Sequence, residues 1–303
     1  TPSDRRHRYP FTNCTHCGPR YTIAVDVPYD RPATTMAAFP MCADCRREYE
    51  DPLDRRFHAQ PVACPACGPR VRLADAEGGP LDPVEGPIAA AARALGAGRI
   101  VAVKGLGGYH LACDATSGAA VIGLRERKRR DEKPFAVMVR DRPEARGLAE
   151  LDAAGEELLA SVERPIVLVR RKAGCALAPE VAPGNPLVGL LLAYTPLHHL
   201  LLEAAGRPLV MTSGNLSEEP MAAGDEEALE RLCGIADLFL AHDRAIENRC
   251  DDSVARVIAG RPTVMRRSRG FVPRPVRLAR PVGRAVLACG AHLKNTFCLA
   301  AGD

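Results

Sequence analysis

Tryptophan is absent from this 303-residue chain, and Phe and Tyr bring the aromatic share to only 4%. A basic stripe interleaved with aromatic rings, the usual platform for nucleic acid, is therefore missing, and tRNA or dsRNA is not an expected partner. No run of about 18 apolar residues occurs, and Thr1-Pro2-Ser3-Asp4-Arg5-Arg6 has no apolar signal core, so the expectation is a soluble, cytoplasmic chain without membrane contact. Excess charge is scarce as well. With 41 Lys and Arg against 37 Asp and Glu the net charge is +4, so basic residues matter by clustering. Neither Gly-Lys-Ser/Thr nor Gly-x-Gly-x-x-Gly is present, which excludes a Walker loop and a dinucleotide fingerprint. What the chain does have is 47% hydrophobic residues, enough to bury a sizeable core and to predict two domains or more.

Cysteine is plentiful, with 12 residues. Six fall into Cys-x-x-Cys pairs (Cys14/Cys17, Cys42/Cys45, Cys64/Cys67), a spacing that lets two thiolates share one metal ion, so metal is favoured over disulfides. The other six (Cys113, Cys175, Cys233, Cys250, Cys289, Cys298) are scattered and read as small hydrophobes. Residues 4–20 and 54–70 repeat at a constant offset of 50, through Asp-Arg-Arg and Cys-x-x-Cys-Gly-Pro-Arg. Each copy is expected to be one finger. In the second, Cys42, Cys45, Cys64 and Cys67 are separated by 18 residues between pairs, suited to a closed structural zinc site. In the first, the offset puts the opening pair before Thr1. Cys14 and Cys17 then either stay metal-free or recruit His7, His16 or His58, although His58 beside Phe57 is better read as a packed histidine.

The remaining chemistry centres on 100–134. An apolar strand (Ile100-Val101-Ala102-Val103) runs into Lys104 and the turn Gly105-Leu106-Gly107-Gly108, followed by Tyr109-His110-Leu111-Ala112-Cys113-Asp114. A helix then ends in six cations within ten residues, Arg125 to Lys133. Glycines after a strand let N–H groups approach an anion, and the cations supply charge for a phosphate. A basic helix end alone is more often a solvated face. The second strand end, Pro208-Leu209-Val210 into Met211-Thr212-Ser213-Gly214-Asn215, makes a cleft at the carboxyl ends of two strands plausible. Strands are expected near 100–103, 135–139, 165–170, 187–191, 208–212, 237–240, 253–258 and 263–267. Helices are expected from Pro87 to about Leu95 and near 116–129, 151–162, 195–205 and 225–233, an α/β pattern. His198 and His199 fall on one of those helices, where metal binding is a poor reading.

Lys128-x-Arg130 with Ser213-x-Asn215, the Lys104–Leu111 stretch, Asp251-Asp252-Ser253-Val254 and Arg266-Arg267-Ser268-Arg269-Gly270 together resemble the YrdC-like domain. With the cysteine repeat ahead of it, nearly the whole chain resembles the hydrogenase-maturation carbamoyltransferases of the HypF family. The resemblance implies a twisted mixed open sheet around a basic cavity, preceded by a small four-cysteine finger region. It implies ATP, with Mg2+, and carbamate from carbamoyl phosphate as ligands, carbamoyl-adenylate as product, and the C-terminal cysteine of HypE as acceptor. Within it, Lys104, His110, Lys128 and Arg130 are expected to be catalytic. Lys128, Arg130, Ser213, Asn215, Arg266 and Arg267 are expected to hold the nucleotide, and Asp252 with Ser253 to be magnesium-linked or structural. The domain layout expected is a finger region (1–73), a linker (74–86), the adenylating domain (87–275), a second linker (276–283) and the opening of a transferase domain (284–303). The rival readings are a threonylcarbamoyl-adenylate synthase, an antibiotic O-carbamoyltransferase and a nucleic-acid-binding zinc protein.

Overall fold

The computed structural model describes residues 2–14, 21–217, 219–290 and 296–301, so Cys17 and His16 lie outside the described residues. The finger region carries little regular structure: three 3-10 turns (Tyr21–Ile23, Arg31–Ala33, Thr35–Ala38) and helix α1 (Ala43–Glu50). Tyr9, Phe11, Ile23, Met36 and Ala63 make its own small core. The buried Arg31 guanidinium substitutes for missing backbone pairing, donating to the carbonyls of Gln60, Val62 and Phe39.

Beyond the finger, twelve strands build one mixed sheet. They are β1 (Val71–Asp75), β2 (Pro80–Leu81), β3 (Val101–Lys104), β4 (Tyr109–Asp114), β5 (Ala136–Val139), β6 (Ala149–Glu150), β7 (Ile166–Arg171), β8 (Leu187–Leu192), β9 (Leu209–Ser213), β10 (Leu238–His242), β11 (Val254–Ile258) and β12 (Arg261–Arg266). The order is β12-β11-β7-β8-β5-β9-β4-β3-β10-β1-β2, with β6 paired to β7. Only β3 with β10, β5 with β8 and β7 with β11 run parallel.

The helices are α2 (Pro87–Gly96), α3 (Gly118–Lys128), α4 (Arg142–Leu148), α5 (Ala153–Ala160), α6 (Pro196–Ala205) and α7 (Asp225–Leu232). Because the central strands are buried along both of their faces, both sides of the sheet need covering. Val101, Val103, Met138 and Leu191 pack with α2 and α6, whereas Ala102, Leu111, Val137 and Leu190 pack with α3, α4, α5 and α7.

The eight expected strands and five expected helices are all found, but α1, α4, β1, β2, β4 and β6 were not foreseen. β4 lies between the two strands that were to flank the cleft, so those strand ends are one strand apart. The stretch 74–86, expected as a linker, carries the end of β1, a turn held by Asp75 accepting from Gly79 N–H, and β2. β1 pairs along its length with β10, joining the finger's exit directly to the sheet. α4 was also missed, a seven-residue helix capped by Asp141. Outside the sheet, β13 (Val286–Cys289) and β14 (Phe297–Ala300) form a separate antiparallel pair, with Leu287 and Phe297 exposed. No helix is long and apolar enough to cross a membrane among the described residues.

Candidate active site and metal centre

One edge of the sheet gathers the ends of β3, β9 and β10 with the start of β4, and there His110 stands opposite Ser213. α3 delivers its cations to this edge. Ser117 caps its first turn, and Arg129 at φ 51° stops it in the left-handed conformation, turning the chain back. Arg125, the fourth residue from the helix end, is buried and donates to the carbonyls of Arg130, Asp131 and Lys133, so the loop after α3 is wound around a guanidinium.

That winding presents Arg130. Among the described residues its side chain meets the carbonyls of Lys133 and Pro134 and the ring of Phe135, 5.1 Å away. Burial, then the positive charges of Arg125 and Arg266, push its pKa down to about 10. The guanidinium still holds its proton at neutral pH. The shift comes first from burial and then from neighbouring positive charge. Arg266, on the opposite wall, donates from Nε and Nη2 to the Asp252 carbonyl at 2.9 and 2.7 Å. Arg267 turns elsewhere, toward the carbonyls of Phe271 and Arg274.

Lys128 differs from the open cation expected of it. It is fully buried, and its Nζ donates to Ser213 O and Asn215 Oδ1, both at 2.7 Å, and to Asn215 O. The ammonium thus fixes the turn after β9, within which Ser213 Oγ donates to Asn215 Oδ1 at 2.7 Å. Gly214 is required here, since a Cβ would stand 2.7 Å from Tyr109 O.

Lys104 is likewise committed. It pairs with Asp225 at 2.5 Å and donates to His242 O, and burial lowers its pKa, partly offset by Asp225. The glycine turn serves packing more than anion approach: a Cβ at Gly107 would lie 2.2 Å from Cys250 O, and Gly105 N–H already bonds Gly108 O.

The floor of the edge is a buried polar cluster. Asp252 accepts from Arg269 Nε at 2.7 Å and sits 3.1 Å from His110 Nε2. Burial would raise the Asp252 carboxyl, but Arg269 and His110 outweigh it and hold it far below the usual carboxylate range. A carboxylate only accepts, so the His110 proton sits on Nε2. The Arg269 guanidinium also stacks on Tyr194 at 3.5 Å, and Tyr194 packs on His198, 4.5 Å between centroids. Ser253 Oγ, donating to Arg269 O and accepting from Ser268 N–H, closes the loop, so of the two readings for Asp252 and Ser253 the structural one has the geometry. Tyr194 and Asp225 were missed by sequence reasoning, and Arg125 and Arg269 were named within motifs but given no role. Gly270 beside Arg269 was the available signal: at φ 89°, any Cβ there would strike Glu163 O.

In the finger, Cys42, Cys45, Cys64 and Cys67 converge with their sulfurs all within 4.8 Å of one another. The close approaches are 3.7 Å (Cys42–Cys64), 3.8 Å (Cys64–Cys67) and 3.6 Å (Cys45–Cys67). A tetrahedron with metal–sulfur bonds of about 2.3 Å has edges of about 3.8 Å, so the donor set and its size fit a closed zinc site. Cys14 is exposed and does not belong to this group.

The Sua5–YciO–YrdC family model ("Telomere recombination") matches residues 93–268, and the HypF finger model matches residues 1–24 and 41–74. The chain belongs to the Sua5–YciO–YrdC family and carries the HypF finger. It is 53% identical over 297 residues to carbamoyltransferase HypF of Rhodobacter capsulatus, covering 97% of this chain and 39% of that protein. A crystal structure of full-length HypF in the phosphate- and nucleotide-bound form superposes with a TM-score of 0.94 at 49% identity, covering 100% of this chain and 39% of that one. The threonylcarbamoyl-AMP synthase of Rattus norvegicus is 33% identical over 142 residues, 46% of this chain and 49% of that protein. The chain thus spans about two-fifths of the HypF proteins it matches.

Proposed function

We propose that this chain is the finger and adenylate-forming part of a cytoplasmic carbamoyltransferase serving NiFe-hydrogenase maturation. Carbamate derived from carbamoyl phosphate attacks the α-phosphorus of ATP through a carboxylate oxygen, the bond to the bridging oxygen breaks, and carbamoyl-adenylate and pyrophosphate result. Both nucleophile and leaving group are anions, so the task is positioning and charge neutralisation. Arg130, whose positive charge lies beside those of Arg125 and Arg266, carries the reading. In it, Arg130 and Arg266 face the triphosphate, and Ser213 and Asn215 offer hydrogen bonds to the nucleotide. Lys128, Lys104 and His110 act by holding those groups in place. Mg2+ would accompany the triphosphate and neutralise part of its charge. Zinc at Cys42, Cys45, Cys64 and Cys67 would be structural, with Cys14 and Cys17 belonging to a second finger. HypE is the acceptor of the carbamoyl group, and the transfer step belongs to the longer protein.

The likeness to the rat synthase favours threonylcarbamoyl-adenylate formation as the second reading, but it covers 46% of this chain at 33% identity against 97% at 53% for HypF. ATP–pyrophosphate exchange decides between them. Exchange with carbamoyl phosphate or carbamate is expected, and exchange only with threonine plus bicarbonate would replace this reading with the second.

A further inference from the structure

The four-cysteine centre of the second repeat is approached by side chains from the first. Arg5 Nη1 and Nη2 lie 3.4 and 3.5 Å from Cys45 Sγ, and Arg6 Nη2 lies 3.2 Å from it. Both guanidiniums also hold Glu48 on α1, Arg5 at 2.8 Å and Arg6 at 2.5 Å. Arg6 Nε donates to Ala63 O at 2.7 Å, beside Cys64, so this one side chain, 5% exposed, touches the segments of both ligand pairs. Four thiolates around a divalent cation are a net dianion, and burying one is costly unless cations and N–H donors answer it.

We infer that Arg5 and Arg6 are positioning residues for this centre. They cap the Cys45 sulfur and couple metal occupancy in the second repeat to the docking of residues 2–14 of the first. The inference rests on the zinc reading above. The repeat supplies an internal control. Arg56 matches Arg6 at the offset of 50 and is 8% exposed, yet its side chain makes only a 4.0 Å approach to Glu48. Arg56 thus shares the motif and Glu48 with Arg6 but has no contact with Cys45 among the described residues.

The test uses the whole chain loaded with Zn2+ or Co2+. Outer partners of metal ligands are commonly worth 10–100-fold in affinity. Arg5→Gln and Arg6→Gln are therefore expected to weaken zinc by about 10-fold or more against a chromophoric chelator. They should also move the thiolate-to-cobalt band to lower energy, because a sulfur relieved of N–H donors holds its electrons less tightly. Arg6→Lys should recover part of the affinity, and Arg56→Gln should change neither readout. Removing zinc should expose residues 2–14 to protease while the sheet stays protected. Arg5 is the more exposed of the pair, so Arg5→Gln keeps the test readable if Arg6→Gln fails to fold. Unchanged affinity and band in Arg5→Gln, or protection of 2–14 indifferent to metal, would overturn the coupling alone. A wild-type chain that takes up no metal would remove the zinc reading and the coupling with it.

Discussion

The finger and the sheet edge each concentrate one kind of charge, of opposite sign. Cys42, Cys45, Cys64 and Cys67 are thiols placed to share a cation, whereas Arg130 and Arg266 are neighbouring cations that in the proposed reading would meet an anion. The first site draws its ligands from 26 consecutive residues, 42 to 67. The second takes Arg130 from the loop after α3 and Arg266 from β12, and the Ser213–Asn215 turn from between them. A local site can be broken by its own ligands, and a site assembled by topology mainly by losing the elements that hold its parts.

The largest effect is therefore expected in the finger. Structural zinc contributes on the order of 10 kcal/mol to the folding of small metal domains, and such domains do not fold without it. Cys64→Ala with Cys67→Ala should abolish stoichiometric zinc and unfold residues 21–62 while leaving the sheet intact. Elemental analysis together with hydrogen exchange reads both. Full zinc retention in this variant would show that the four thiols are not the ligand set.

How much of each region was legible follows the same division. The four ligands could be read from Cys-x-x-Cys spacing because short covalent reach fixes which sulfurs can meet. The eight expected strands could be read because runs such as Val101–Val103 and Leu187–Leu191 are apolar throughout. Lys128 and Lys104 stood out in the sequence as site candidates, but their burial was not legible. Whether an ammonium points at solvent or into a neighbouring carbonyl depends on partners at 213–215, 225 and 242, which only the strand order brings near. β4 was hidden because its sequence, Tyr-His-Leu-Ala-Cys-Asp, follows a glycine turn and mixes polar with apolar residues. It is a strand because β3 and β9 bury it on both edges.

A smaller effect is expected at the sheet edge, and it would sharpen the comparison. Arg130→Ala removes one cation from the proposed phosphate site, where charge-assisted hydrogen bonds are worth about 1.5–3 kcal/mol, or roughly 10–100-fold in ATP affinity. Arg127→Ala should cost much less, because Arg127 faces the Asp237 carboxylate and the Ile235 carbonyl. Arg129→Ala, at the left-handed cap, should act on the helix end and not on the nucleotide. Calorimetric titration with ATP separates these outcomes. Equal losses at all three positions would reduce the cation run to a diffuse basic face and erase the contrast with the finger.

The smallest expected effect is a dependence on pH that the two regions acquire for different reasons. Behind the sheet edge, His198 is fully buried with both ring nitrogens unpartnered, and burial followed by the nearby His110 hold its pKa well below the ordinary 6.5. Burial does the same to His242, aided by Arg244. In the unfolded chain each would take up a proton as pH falls through about 6.5. The unfolded state then binds more protons than the folded one, so stability is present above that pH and declines below it. The slope approaches about 1.4 kcal/mol per pH unit for each histidine. Asp252, depressed from 3.8, contributes its own loss only below that value, so the window from pH 6.5 to 5 isolates the histidines. The finger responds in acid through protonation of its metal thiolates instead, and zinc-loaded and chelated samples separate that part. Urea unfolding at pH 7.5, 6 and 5 should show His198→Asn flattening the slope by about one proton. An unchanged slope would mean that His198 is protonated in the folded state, and the floor of the sheet edge would then be cationic where the geometry makes it neutral.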